Sequence, residues 1–129
     1  MKNILVVERD DDSLSLLKEI LEEKGYNVLG TTNIENGLDI LRRGIIIQII
    51  LLSTFVENKE SFYVIKKIKE DPKISSIPIV AITSSARTTE GARALKEGCA
   101  AFIFKPIEED AIVNIIENIF QGKDTENHG

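Results

Sequence analysis

Apolar and polar positions alternate along this chain in blocks that predict strands and helices in turn. Short, nearly continuous apolar runs occupy residues 3–7 (NILVV), 26–30 (YNVLG), 46–52 (IIQIILL), 77–83 (IPIVAIT) and 101–104 (AFIF). Each run has the length of a strand. Between the runs, apolar residues recur at the three- and four-residue spacing of a helix, as around Leu17, Ile65 and Ile116. The pattern therefore predicts strands that alternate with amphipathic helices.

Turn and cap residues fall between these blocks. Thr32 followed by Glu35 predicts a capping box at the start of the second helix. Gly25, Gly44 and Gly98 are predicted to end the first, second and fourth helices, because glycine adopts the left-handed conformation that commonly follows a helix.

Strands that are joined by helices run parallel, and their continuous aliphatic character indicates that both faces of the sheet are covered. These features predict an α/β fold with a doubly wound parallel sheet. A chain of 129 residues has the size of one domain. We expect the folded domain to span residues 1–121 and residues 122–129 to form a flexible tail.

Composition and charge exclude several classes of function. The net charge of −5 and the pI near 5.0 give no basic surface of the kind that binds nucleic acid. The apolar run after Met1 is too short for a signal peptide or a membrane span, so we expect a cytoplasmic protein without membrane contact. The single cysteine, Cys99, is expected to be a small buried apolar residue. The single histidine, His128, lies in the polar tail, which argues against histidine chemistry.

Polar residues follow four of the predicted strands, at the edge where a doubly wound sheet binds its ligands. From Asn3 to about Phe120 the chain resembles the receiver domains of two-component response regulators. The resemblance rests on ILVVE, on IILL before Ser53, on PIVAITSSA and on ALKEGCAAFIFKPI, in this order. It implies a flavodoxin-like (βα)5 fold with a five-stranded sheet in the order 2-1-3-4-5.

The resemblance also implies a site, in which this chain departs from the family. In receivers an aspartate at the end of strand three accepts a phosphoryl group from a histidine kinase, and an acidic pair after strand one helps to hold Mg²⁺. Ser53 stands at the phosphoacceptor position, and Glu8 and Arg9 stand at the acidic pair. With Lys105, the formal charges of these residues sum to +1. We therefore expect weak or absent Mg²⁺ binding and no cofactor.

The residues that respond to phosphorylation in receivers are matched here. Thr83 corresponds to the hydroxyl that contacts the phosphoryl group, and Lys105 to the lysine that reaches it. Pro106 corresponds to the proline that often follows a cis bond, and Phe102 to the aromatic residue that rotates on activation.

Several interpretations of single residues remain open at this point. Asp10 is expected either to replace the metal ligand lost at Arg9 or to leave the site incomplete. Asp11 or Asp12 is expected to cap the first helix. Arg9 is either an internal cation that pairs with Glu8 or Asp10, or a solvated side chain.

Two further groups of residues also allow alternative interpretations. Lys105 either forms an ion pair with Glu8 or helps to hold an anion. The isoleucines 45–47 either form an exposed patch for a partner or are the beginning of strand three packed under a loop.

We interpret the chain as a signal-transduction protein without enzymatic activity that binds another protein, a histidine kinase or an output protein. The resemblance places the contact surface on helix four, strand five and helix five, at about residues 88–96, 101–104 and 110–120, and a homodimer through this surface is an alternative. Two other functions stay open. One is a phosphorylation-dependent receiver with a displaced metal site, and the other is an anion or small-ligand sensor.

Overall fold

A computed structural model describes residues 2–56, 59–83 and 88–123. Its strands are β1 Asn3–Val7, β2 Asn27–Thr31, β3 Ile49–Ser53, β4 Phe55–Val56, β5 Lys59–Glu60, β6 Ile79–Thr83 and β7 Ala101–Phe104. Its helices are α1 Asp11–Glu23, α2 Ile34–Arg42, α3 Phe62–Glu70, α4 Thr88–Glu97 and α5 Glu109–Phe120. Residues 124–129, which include His128, lie outside the described residues, so the expected tail is not tested.

The main sheet has five parallel strands in the order β2-β1-β3-β6-β7. Counted without the small β4–β5 hairpin, this is the predicted order 2-1-3-4-5. All five residues of β3 and of β6 are buried, because these strands lie inside the sheet and both of their faces are covered.

Two apolar clusters cover the two faces of this sheet. One joins Leu5 and Leu52 of the strands to buried side chains of α2, α3 and α4. The other joins Ile4 and Leu51 to buried side chains of α1 and α5. Because neighbouring strand residues point to opposite faces, each strand contributes to both clusters. The predicted doubly wound α/β fold is confirmed.

The helix caps differ in part from the sequence prediction. Asp10 caps α1 in place of Asp11 or Asp12, and its carboxylate accepts a hydrogen bond from the Asp12 N–H. Asn33, and not Thr32, caps α2. The predicted C-terminal glycines are confirmed in the left-handed region, as shown by the φ of +117° at Gly98.

The beginning of β3 was predicted too early. The strand starts at Ile49, whereas the apolar run starts at Ile46. Asn3 holds the segment before the strand, because its Nδ2 donates to the Ile46 carbonyl at 2.8 Å and its N–H donates to Gln48 Oε1 at 2.6 Å. Ile47 is buried, but Ile45 and Ile46 are 38% and 72% exposed. Two of the three isoleucines are therefore exposed and the third is packed, and binding of a partner at this place stays a prediction.

No helix in the described ranges is long and apolar enough to span a membrane.

Candidate functional site

Parallel pairing brings the carboxyl ends of four strands to one edge of the sheet. Ser53 of β3 pairs with Ile82 of β6, and Thr83 of β6 pairs with Phe104 of β7. Glu8 follows β1, where its N–H donates to the Thr31 carbonyl. The predicted site residues at the strand ends therefore lie at the same edge, as the topology requires.

An ion pair between Glu8 and Lys105 spans this edge. Lys105 Nζ lies 2.6 Å from Glu8 Oε1, and the Glu8 side chain is fully buried whereas that of Lys105 is 32% exposed. Oε2 of Glu8 accepts a hydrogen bond from the Asp10 N–H at 3.0 Å. Apart from the ion pair, Oε1 has no hydrogen-bond partner in the described part of the chain. The ammonium of Lys105 therefore supplies the counter-charge that a buried carboxylate requires.

Asp10 is engaged in helix capping. Its Oδ1 accepts from the Asp12 N–H at 3.3 Å and its Oδ2 accepts from the Ser13 hydroxyl at 2.8 Å. The pKa of the Asp10 carboxyl is lowered, mainly because the carboxylate accepts the hydrogen bond from Ser13. Neighbouring Arg9 is exposed. Both oxygens of Asp10 thus accept hydrogen bonds at the start of α1, and its replacement of the ligand lost at Arg9 stays a prediction.

Ser53 ends β3 as a buried residue, with 4% of its surface exposed. Its carbonyl oxygen accepts a hydrogen bond from the hydroxyl of Ser61, which is fully buried before α3. The Ser61 N–H donates to the Thr54 carbonyl at 2.9 Å. The segment after β3 is therefore closed back onto the end of the strand.

Thr83, at the end of β6, and Phe102, in β7, both contact neighbouring elements. The Thr83 hydroxyl is fully buried and donates to the Ile103 carbonyl at 3.2 Å. Phe102 is half-buried, and its ring packs so closely on α4 that a Cβ at Gly91 would lie 2.6 Å from it. The Phe102 ring also contacts Phe104 edge-on, at 5.3 Å between centroids. The peptide bond between Lys105 and Pro106 is cis, as the resemblance implied.

The Mg²⁺ that the fold family implies does not fit these residues. Glu8 is the remaining carboxylate of the acidic pair, and its Oε1 is ion-paired with Lys105 while its Oε2 accepts from the Asp10 N–H. The described residues contain no group of three or more carboxylate, histidine or cysteine side chains that could hold a metal ion. A hard divalent cation prefers several oxygen ligands, which this arrangement does not provide.

A buried contact that the sequence pattern does not predict joins Thr54, directly after β3, to Glu90 of α4. The Thr54 hydroxyl lies 3.1 Å from Glu90 Oε1 and 3.3 Å from the Ile82 carbonyl. Both Thr54 and Glu90 are buried. The signal in the sequence is weak, since it consists of a hydroxyl directly after Ser53 and an acid in the first turn of α4. Only the fold places the two side chains together.

Comparisons with known proteins agree with this architecture. Residues 4–117 match the family model of the response regulator receiver domain. The chain is 27% identical over 117 residues to the polar-differentiation response regulator DivK of Brucella anthropi. The aligned residues cover 91% of this chain and 94% of that protein. It is also 27% identical to an uncharacterised 14.6 kDa protein of Leptolyngbya boryana, over 89% of this chain and 87% of that protein.

A solved structure shows the same fold. The crystal structure of a response regulator receiver domain protein from Clostridium thermocellum has a TM-score of 0.85, with 20% identity and coverage of 95% of this chain and 96% of that chain. At this level of identity the likeness concerns the fold alone.

Proposed function

The chain belongs to the response regulator receiver family of two-component signalling, and we propose that it acts by binding another protein and is not phosphorylated on an aspartate. The observation that carries the proposal is the state of the site. Serine replaces the nucleophile at position 53, and the lysine that would reach a phosphoryl group is paired with the buried Glu8.

The charge of the site supports this proposal. Glu8, Arg9, Ser53 and Lys105 carry a formal sum of +1, and a cation repels Mg²⁺ where the family has a ligand. Arg9 is exposed, so solvent and salt screen part of this repulsion, but the position contributes no ligand to a cation. Catalysis of phosphoryl transfer depends on such a metal. We therefore propose that this receiver needs no cofactor and has no enzymatic turnover.

The alternatives have less support from the geometry. A displaced metal site would need the Asp10 carboxylate, whose oxygens accept hydrogen bonds at the start of α1. An anion sensor would need the charge of Lys105, which the Glu8 carboxylate neutralises at 2.6 Å.

The surface that we propose for the partner lies on α4, β7 and α5. β7 is an edge strand, because it pairs with β6 alone in the described sheet. Beside it lies a groove of about 380 Å³ lined by Ile103, Phe104, Lys105, Pro106, Glu108, Ala111, Asn114 and Ile115. Lys105 belongs both to this groove and to the ion pair with Glu8. The groove thus connects the strand-end site to the surface, and a histidine kinase or an output protein is the partner class that the family favours.

The first experiment is an NMR titration of the whole chain with Mg²⁺ and beryllofluoride, a phosphoryl mimic. The matched control is the double variant Arg9→Asp/Ser53→Asp, which restores the family's residues at both positions. We expect no saturable shifts at residues 8–12, Ser53, Thr83, Phe102 or Lys105 in the native chain, and saturable shifts in the double variant. Saturable shifts that reach Phe102 in the native chain would refute the proposal.

A second experiment tests the surface. We expect Asn114→Arg to abolish pairwise binding to the histidine kinases or output proteins of the same organism, while Lys18→Glu on α1 leaves the binding intact. Equal binding by both variants would exclude the surface on α4, β7 and α5. Sedimentation of the native chain measures whether a second copy occupies the same surface.

A further inference from the structure

A second groove lies at the opposite end of the sheet from the candidate site. It has a volume of about 550 Å³ and is formed by the segment before β3 and the segment before β6. Its lining residues are Leu41, Arg42, Gly44, Ile45, Ile46, Ile47, Asp71, Lys73, Ile74 and Ile77. Because both segments lead into the amino ends of parallel strands, roughly 17 Å of strand separates this amino-end groove from the candidate site at the carboxyl ends.

The amino-end groove combines an apolar floor with an exposed apolar rim. Ile47 and Ile74 are 5% and 7% exposed, whereas Ile46 is 72% exposed and Ile45 is 38% exposed. Among the large apolar side chains of the described residues, Ile46 is the most exposed. An exposed isoleucine beside an apolar groove is the arrangement by which a partner's apolar side chains are bound.

Both walls of the groove are held in place without a partner. Asn3 Nδ2 donates to the Ile46 carbonyl, and Gln48 N–H donates to the Asn3 carbonyl at 2.9 Å. On the other wall, the Asp71 carbonyl accepts from the N–H groups of Ile74 and Ser75. A pre-formed groove loses little conformational freedom when a ligand binds, which favours binding.

The charges around the groove identify the kind of partner. Arg42 and Lys73 line it, exposed Arg43 follows in the chain, and none of the three has an ion pair in the described part of the chain. Asp71 is the one acid among the lining residues, and its Oδ1 accepts from the Lys73 N–H at 3.0 Å. Counted with exposed Glu70, which directly precedes Asp71, these charges still sum to +1, in a protein with a net charge of −5.

A second copy of the chain does not fit this pattern. A two-fold interface brings the same surface of both copies together. The patch that holds Arg42, Arg43 and Lys73 would then meet the same patch of the other copy, and an excess of like charge across an interface is unfavourable.

We propose that the amino-end groove binds a segment of another protein in which apolar side chains are flanked by aspartate or glutamate. The apolar side chains contact Ile46 and the floor, and the carboxylates face Arg42 and Lys73. This surface is separate from the one on α4, β7 and α5, and its occupation does not depend on the chemistry at Ser53.

The test is a selection of random peptides displayed on phage, with the native full-length chain as the target and Ile46→Ser as the counter-target. We expect the recovered peptides to carry apolar residues flanked by Asp or Glu, and to shift the amide signals of residues 44–47 and 73–77. Synthetic copies should bind Ile46→Ser about tenfold more weakly or worse, as is usual for a central apolar contact. Arg42→Glu/Lys73→Glu should weaken binding and reduce its dependence on salt.

Two matched controls separate the groove from general surface effects. Leu16→Ser removes another exposed aliphatic side chain, and Lys18→Glu reverses another exposed charge, both on α1. Both should bind the peptides as the native chain does. The proposal is overturned by recovery of no peptides that discriminate against Ile46→Ser, by recovery of basic peptides, or by a dimer in sedimentation that Ile46→Ser abolishes. None of these results alters the outcome of the beryllofluoride titration.

Discussion

At the scale of single residues, the Glu8–Lys105 pair determines what the strand-end site is able to do. A carboxylate that is fully buried needs a partner of opposite charge, and the described structure gives it one ammonium and one backbone N–H. In a site with a metal and an aspartate, such a lysine would have other negative partners. Here its charge is committed to holding the site together.

Lys105→Met should therefore lower the free energy of unfolding by about 2 to 3 kcal/mol. Removal of one partner from a buried pair leaves an uncompensated charge, and the partial exposure of Lys105 places the effect below the range of fully buried pairs. Urea denaturation measures the change, with Lys18→Met as the control for loss of an exposed lysine. Addition of Glu8→Gln should recover at least half of the loss. A double variant as unstable as Lys105→Met would show that the lysine stabilises by some other contact.

Cys99 should be nearly inert towards alkylating reagents in the folded chain. Burial raises the pKa of the Cys99 thiol to about 12, and the thiolate is the form that reacts. At pH 8 we expect iodoacetamide to react roughly 10³-fold more slowly with the native chain than with the chain in guanidinium chloride. Because the folded state keeps the thiol proton to a higher pH than the unfolded state, the free energy of unfolding should fall as the pH rises above the pKa of the thiol in the unfolded chain. Comparable labelling rates in both states would contradict the buried position of this side chain.

At the scale of elements, the structure and the sequence pattern identify different N-terminal caps for α2. Asn33 Oδ1 accepts from the Asn36 N–H at 3.0 Å, while Thr32 was the predicted cap. Asn33→Ala should lower the free energy of unfolding by about 1 kcal/mol, and Thr32→Ala should change it by less than about 0.5 kcal/mol. Denaturation of the two variants measures the difference. The opposite order would restore the capping box of the sequence prediction.

The distance between α4 and β7 depends on a glycine inside the helix. A Cβ at Gly91 would lie 2.6, 2.8 and 2.9 Å from three atoms of the Phe102 ring, closer than carbon atoms approach without a shift. Alanine favours a helix over glycine by about 1 kcal/mol, but overpacking costs about 1 to 3 kcal/mol. Gly91→Ala should therefore destabilise the native chain by about 1 kcal/mol.

The effect of Gly91→Ala on the free energy of unfolding should change sign when the Phe102 ring is removed. In a Phe102→Leu background, Gly91→Ala should stabilise the fold, because the helix preference is then unopposed. A double-mutant cycle by urea denaturation measures both steps. An equal effect in both backgrounds would show that Phe102 does not set the separation of α4 and β7.

At the scale of the whole molecule, the fold follows from the sequence pattern because the spacing of apolar residues and the length of each apolar run are features of many residues together. Apolar runs such as 3–7 and 101–104 coincide with strands, since their side chains cover both faces of one sheet. The predicted beginning of β3 was wrong because Ile46 and Ile47 are apolar and yet lie before the strand, and a hydropathy pattern does not distinguish the lining of a groove from a strand.

The sequence predicts which residues meet at the strand ends but not all of their contacts, and their role in signalling stays a prediction. The order of the strands is enough to bring Glu8 and Lys105 to one edge, and the ion pair follows from their charges. The hydrogen bond from Thr54 to Glu90 depends on how α4 packs over the end of β3, which no local pattern encodes. The capping role of Asp10 depends on where the first turn of α1 begins, which sequence patterns locate only to within a few residues.

The stability of the whole chain should be independent of Mg²⁺, and this distinguishes it from a receiver with a metal site. A ligand that binds only the folded state stabilises it by about 2.7 kcal/mol at one hundred times its dissociation constant. The native chain offers no cluster of acidic side chains for the ion in its described residues, so its melting temperature in MgCl₂ should equal that in KCl of the same ionic strength, which corrects for screening. Arg9→Asp/Ser53→Asp places two further carboxylates near Glu8. The mutual repulsion of the three carboxylates should lower the melting temperature in KCl, and Mg²⁺ should offset this loss. A Mg²⁺-dependent rise in the native chain that saturates would require a metal site that Glu8 and Asp10, as they are bonded here, do not provide.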